Sequence, residues 1–172
     1  MKKKYKFVEC DTQSLNGRIV RRIVAIRDFD DVKEGDLGGY IESESNLSQE
    51  NTCWIYDNAV VFGYAEVRGD AKVYGCTEVY GDAKVYDDAE VYGDAKVHGD
   101  ARVYGDAKVY GRAEVCGRAK VYGDAKVHGC TEVYGGAEVC GNAEVRGEAV
   151  IRGGIEVYSH TEIYGNTKVD DD

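Results

Sequence analysis

Three histidines, six cysteines and a regular series of aspartates are the residues of this 172-residue chain best suited to chemistry. The histidines are His98, His128 and His160. A histidine titrates near neutrality and works as a general base when a neighbouring carboxylate orients its ring. No Asp or Glu stands in obvious position to orient His98 or His128, so both read as replacements for an outward aromatic residue. The cysteines are Cys10, Cys53, Cys76, Cys116, Cys130 and Cys140, with no CxxC pair and no zinc-type spacing. They read as reduced thiols without a metal.

The repeat that positions these residues begins at Ile55. An aliphatic residue recurs every six positions from Ile55 through Val61, Val67 and Val73 to Ile163 and Val169. A typical unit is Val103-Tyr104-Gly105-Asp106-Ala107-Lys108. A small residue follows each aliphatic one by four places, usually Ala, with Thr77, Thr131, Thr161 and Thr167 as variants and Ile155 as the large exception. Ala and Val alternate with charged residues and Tyr, the period-2 signature of a strand with one buried face. Gly-Asp supplies corner chemistry, because Gly accepts positive φ without a steric cost. A short strand and a two-residue corner, repeated without change, must coil. Three equal sides close as a triangle of 18 residues per turn, and successive turns stack as parallel strands ~4.8 Å apart. The spacing therefore predicts an all-β parallel β-helix, with Val103, Val121 and Ala107 buried and Tyr104 and Lys108 exposed.

Stacking places chemistry-bearing residues in columns. Tyr56, Tyr74, Tyr92 and Tyr110 share one side, continued by His128. Asp70, Asp88, Asp106 and Asp124 share one edge. The Tyr column reads either as a structural ladder or as a binding face, and the Asp column as solvated corners or a row for cations. A zinc centre of three histidines is excluded, since the three lie in different places around the coil. Cys76 and Cys130 share an edge three turns apart, too far for a disulfide.

Residues 1–54 lack the repeat. Tyr5-Lys6-Phe7-Val8 and Arg22-Ile23-Val24-Ala25-Ile26 read as strands with Asn16-Gly17 as a hairpin turn. Ile41 and Leu47 are already six apart, while Leu47 and Ile55 are eight apart, which puts two extra residues near Trp54. The division expected is an N-terminal β cap and lead-in over 1–54 and a repeat coil with an acidic end over 55–172. Net charge is −10, and residues 1–54 hold nine Lys and Arg against ten Asp and Glu, so nearly all the excess acid lies on the coil. That balance disfavours a nucleic-acid partner and suits a protein with a basic surface. No apolar run approaches the ~20 residues of a membrane span, and MKKKYKFVEC lacks the apolar stretch of a secretory signal, so a cytoplasmic location is expected.

Asp36-Leu37-Gly38-Gly39-Tyr40-Ile41-Glu42, followed by Asn46-Leu47-Ser48, Trp54 and Asp57-Asn58-Ala59, resembles the lead-in of YdcK-like hexapeptide-repeat proteins of bacteria and prophages. Many of those are described as transferases. The resemblance implies a left-handed coil, and side-by-side association of the chain as a trimer, or as a dimer through a Tyr face, is the expected homo-oligomer. The resemblance also implies that an acyltransferase of this type would use a His base beside a loop or across a trimer interface. No loop interrupts the coil between 55 and 169. The favoured expectation is accordingly a non-catalytic, acidic interaction rod of phage or prophage type that blocks or sequesters a host component, without cofactor. Its contacts would be Tyr56, Tyr74, Tyr92, Tyr110, Asp70, Asp88, Asp106 and Asp124. The alternatives are an acyl-CoA-dependent acyltransferase using His98 or His128, and a structural spacer.

Overall fold

The computed structural model describes residues 3–171. Its first elements form a hairpin. β1 (Tyr5–Leu15) and β2 (Arg18–Ala25) are antiparallel, joined by Asn16 at φ 51° and Gly17 at φ 79°, the left-handed pair that a two-residue hairpin turn demands. β2 then pairs antiparallel with β3 (Leu37–Ile41), aligning Arg22 with Tyr40. From β4 (Trp54–Ile55) to β23 (Lys168–Val169) every element is a two-residue strand, one per hexapeptide and without interruption. Up to β20 (Val150–Ile151), each pairs in parallel with the strand 18 residues on, as Val97 with Val115 and Val109 with Val127. Three sheets result, of ten, seven and six strands, and they form the three sides of a β-solenoid. The all-β fold and the 18-residue turn expected from the spacing are borne out. No helix among the described residues is long and apolar enough to cross a membrane.

The cap is continuous with the coil. β3 pairs in parallel with β5 (Val60–Val61), so the hairpin extends the ten-stranded side. Ile41 aligns with Val61, Leu47 bridges Val67, and Ile55 aligns with Val73, so the first turn of the coil already closes through residues 41–55. Its long corner holds the two extra residues. Trp54 is buried there against the edges of Tyr5 and Phe29, at 6.1 and 5.3 Å between ring centroids. The Tyr5 hydroxyl donates to the Leu47 carbonyl at 2.8 Å. Aromatic bulk thus covers the axial end where the backbone would otherwise lie open. The three-aspartate tail expected at the other end is described only as Asp170 and Asp171, because Asp172 lies outside the described residues, as do Met1 and Lys2 of the basic start.

Val103, Val121 and Ala107 are fully buried, as expected. Tyr104 and Lys108 are half-buried and not exposed, because residues one turn above and below flank each side chain. Corners are tighter still. Gly105 sits at φ 69°, and a Cβ built there would lie 2.9 Å from the backbone nitrogen of Gly123 in the next turn. Gly105→Ala should therefore cost about 2 kcal/mol or more, from left-handed strain and backbone displacement together. Thermal unfolding should show Tm roughly 4–8 °C lower. The exposed neighbour Asp106→Ala should stay within ~0.5 kcal/mol of the parent. Equal melting of the two variants would contradict the close approach of successive corners.

Candidate functional site

Two histidines of the coil sit in defined side-chain geometry. His98 follows β11 (Lys96–Val97) on the ten-stranded side, and His128 follows β16 (Lys126–Val127) on the seven-stranded side. His98 Nε2 lies 2.8 Å from Glu114 Oε1, and His128 Nε2 lies 3.0 Å from Glu144 Oε1. The expectation that no carboxylate orients these rings is corrected: each has one. The physical reason is the 18-residue turn. A residue just past one strand faces across to the next turn, where the outward position two residues before its aligned partner is a Glu. The same offset of 16 links Tyr74 to Glu90 and Tyr122 to Glu138. Arithmetic on the repeat contains this signal, since adding 16 to 98 and to 128 lands on Glu114 and Glu144.

Each ring is also held by stacking. His98 lies flat on Tyr80 at 4.7 Å between centroids, and His128 on Tyr110 at 4.5 Å. The hydrogen bond from His128 holds the Glu144 carboxyl below the usual carboxylate range, with the Arg146 charge adding to the effect. Burial pushes the Cys116 thiol up, and the nearby Glu114 and Glu132 charges push it further. His160 is exposed at a corner, away from both pairs. All six cysteines are free, and Cys53 is the buried one.

The expected binding columns look different from their sequence picture. Tyr74, Tyr92 and Tyr110 stack at 4.9 and 4.7 Å, while Tyr56 meets Tyr74 edge-on at 6.1 Å. Stacked rings cover each other's faces, so the column presents edges and hydroxyls outward, not flat aromatic surface. Some hydroxyls are already engaged: Tyr56 donates to Asp31 at 2.8 Å and Tyr74 to Glu90 at 2.8 Å. In the acidic column, Asp70 accepts from the Thr52 hydroxyl at 2.6 Å and from the Thr52 backbone nitrogen at 3.0 Å. Asp88 and Asp106 line a groove of about 450 Å³ that Lys72 and Lys108 also line. Asp106 and Asp124 border the next groove, of about 500 Å³, with Lys108 and Lys126. The column is therefore interleaved with cations and is not a bare acidic strip.

The fold and its side chains define a class: a hexapeptide-repeat β-solenoid with His–carboxylate pairs on its outer faces. The chain is similar to a curated protein of Escherichia coli (strain K12) named uncharacterized acetyltransferase YdcK, at 51% identity over 53 residues. The matched stretch is 30% of this chain and 16% of YdcK, so the chain corresponds to a minor part of that protein's length. No protein-family profile matches the chain. The likeness overturns the expectation of a non-catalytic rod of phage type. The relative is named for acyl transfer, and the oriented histidines remove the main objection to a base.

Proposed function

We propose that this chain takes part in acyl transfer from a CoA thioester to an amine or hydroxyl acceptor, with His128 as general base. The observation that carries this reading is the His128–Glu144 hydrogen bond on a ring already fixed by Tyr110. A ring that donates Nε2–H to Glu144 leaves Nδ1 free to take the acceptor's proton. The acceptor then attacks the thioester carbonyl, the C–S bond breaks, and the departing CoA thiolate picks up a proton. Glu144 stabilises the imidazolium formed on the way. Lys126, two residues before His128, and Arg146, one turn on, supply positive charge suited to the CoA phosphates. The grooves of the coil are shallow and its repeat has no loop to form a wall. A second copy of the chain, laid against the seven-stranded side, is the wall this reading requires. The acetyl group is taken from the relative's name and belongs to the same proposal.

The test is thiol release from acetyl-CoA in the presence of small amine and hydroxyl acceptors, followed at several chain concentrations. Release should be saturable and should rise more steeply than linearly with chain concentration while copies assemble. His128→Ala should lower the rate roughly 10²-fold or more while acetyl-CoA binding, measured by calorimetry, changes little. Absence of acetyl-CoA binding at millimolar concentration, or full turnover by His128→Ala, would overturn the proposal.

A further inference from the structure

The surroundings of the two histidines differ one turn on. One turn beyond His128 the column holds Arg146, whose Nε is 3.7 Å from Glu144 Oε1. One turn beyond His98 the same position holds Cys116. β14 (Glu114–Val115) pairs with β11 so that Lys96 aligns with Glu114 and Val97 with Val115, which brings Cys116 alongside His98. An imidazole nitrogen of His98, a carboxylate oxygen of Glu114 and Cys116 Sγ all lie within 4.8 Å of one another, and all three residues are half-buried. From this convergence we infer that His98, Glu114 and Cys116 form a binding site for a zinc-type divalent cation.

The donor set selects the ion. Nitrogen, sulfur and oxygen together suit zinc and its borderline neighbours, whereas magnesium and calcium prefer oxygen alone. Three protein ligands leave a fourth position for water or a small ligand, the arrangement of an open site. The donors come from two adjacent, hydrogen-bonded strands of a rigid coil, and the Tyr80 stack fixes the plane of the imidazole. Little conformational freedom is lost when an ion enters. Charge also favours a cation: Glu132 aligns with Glu114 in the following turn and adds a second carboxylate beside the thiol. On binding, a sulfur–metal bond forms and the thiol proton passes to solvent, with no change of oxidation state. The His128 pair is a built-in contrast, because the Arg146 guanidinium stands where a third donor would be needed. The cation site lies on a different side of the coil from His128 and does not depend on acyl transfer there. It also departs from the expectation of no metal, which weighed cysteine spacing, a three-histidine centre and the Asp column but no mixed His, Glu and Cys set.

The experiment is titration of the metal-stripped, reduced 172-residue chain with cobalt(II), followed by zinc competition. A single equivalent per chain should produce a thiolate-to-cobalt charge-transfer band, which zinc then removes. Cys116→Ser should abolish the band. His98→Gln and Glu114→Gln should each weaken zinc binding roughly 10- to 100-fold, while His128→Gln leaves it unchanged. Thermal melting of each variant, expected to match the parent, separates loss of ligand from loss of fold. The inference is overturned if the parent chain shows no stoichiometric cobalt band. A band that persists in Cys116→Ser, supplied by exposed thiols such as Cys10 and Cys76, overturns it equally.

Discussion

Ala107→Trp is expected to destabilise the coil by on the order of 4 kcal/mol, lowering Tm by roughly 8–16 °C. Ala107 is fully enclosed, with Val103 and Val109 as its inward neighbours along the chain and Ala89 and Ala125 at the same position one turn above and below. The interior of a solenoid this narrow has no spare volume, and every turn must present the same cross-section to its neighbours. An indole there has two routes, forcing the corner open or leaving the interior, and either breaks the parallel pairing of adjacent turns. Because repeats interact mainly with their neighbours, the damage should stay local at first and broaden the unfolding transition. Tyr104→Trp, three residues away on the outward face, should stay within about 1 kcal/mol of the parent. Differential scanning calorimetry of both variants checks the inward and outward assignment together. Indistinguishable melting of Ala107→Trp and the parent would refute it.

Hexapeptide spacing made the coil legible because one short rule is applied twenty times, and each application must satisfy the same packing. Val and Ala are forced inward by volume, Gly to the corners by positive φ, and Tyr with Lys or Glu outward by what remains. The same regularity concealed the site. A reading of each hexapeptide by itself sees His98 as a substituted Tyr and Cys116 as another. Only placing residues 16 and 18 apart side by side shows that Glu114 and Cys116 converge on the first histidine, and Glu144 and Arg146 on the second. The charge pattern of the coil is finer than its net charge for a related reason. Net charge is a sum, whereas Lys108 lies 2.9 Å from Glu90 and Lys120 2.6 Å from Glu138, so much of the acid is locally balanced. Such exposed pairs add little stability individually. The residue 18 positions on decides what each histidine sits beside, a thiol at Cys116 for His98 and a cation at Arg146 for His128.

Lys4 was the least legible functional group of the cap. In a basic N-terminal run it reads as solvated charge, yet it is fully enclosed. Its ammonium donates to the carbonyl oxygens of Cys53 at 2.8 Å, Glu50 at 3.1 Å and Asn51 at 3.3 Å. Burial pushes the Lys4 ammonium down from its usual range, with the Cys53 interaction opposing that change. Burial likewise raises the Cys53 thiol, 3.2 Å away. Three N–H donors meet three carbonyls of the long corner, the one segment of the first turn that has no hexapeptide to organise it. Lys4→Met keeps most of the volume and removes the cost of burying charge, but it leaves the enclosed Cys53 carbonyl without a donor. The orphaned Cys53 carbonyl should outweigh the relief of charge burial, because it is buried whereas Glu50 and Asn51 are exposed. The expected loss is about 3 kcal/mol, or roughly 6–12 °C in Tm. Amide exchange should quicken over residues 47–55, while amides of the coil between 97 and 127 keep their protection. A Lys4→Met chain as stable as the parent, with exchange unchanged at the corner, would show that the lysine fills space there and does not hold the first turn closed.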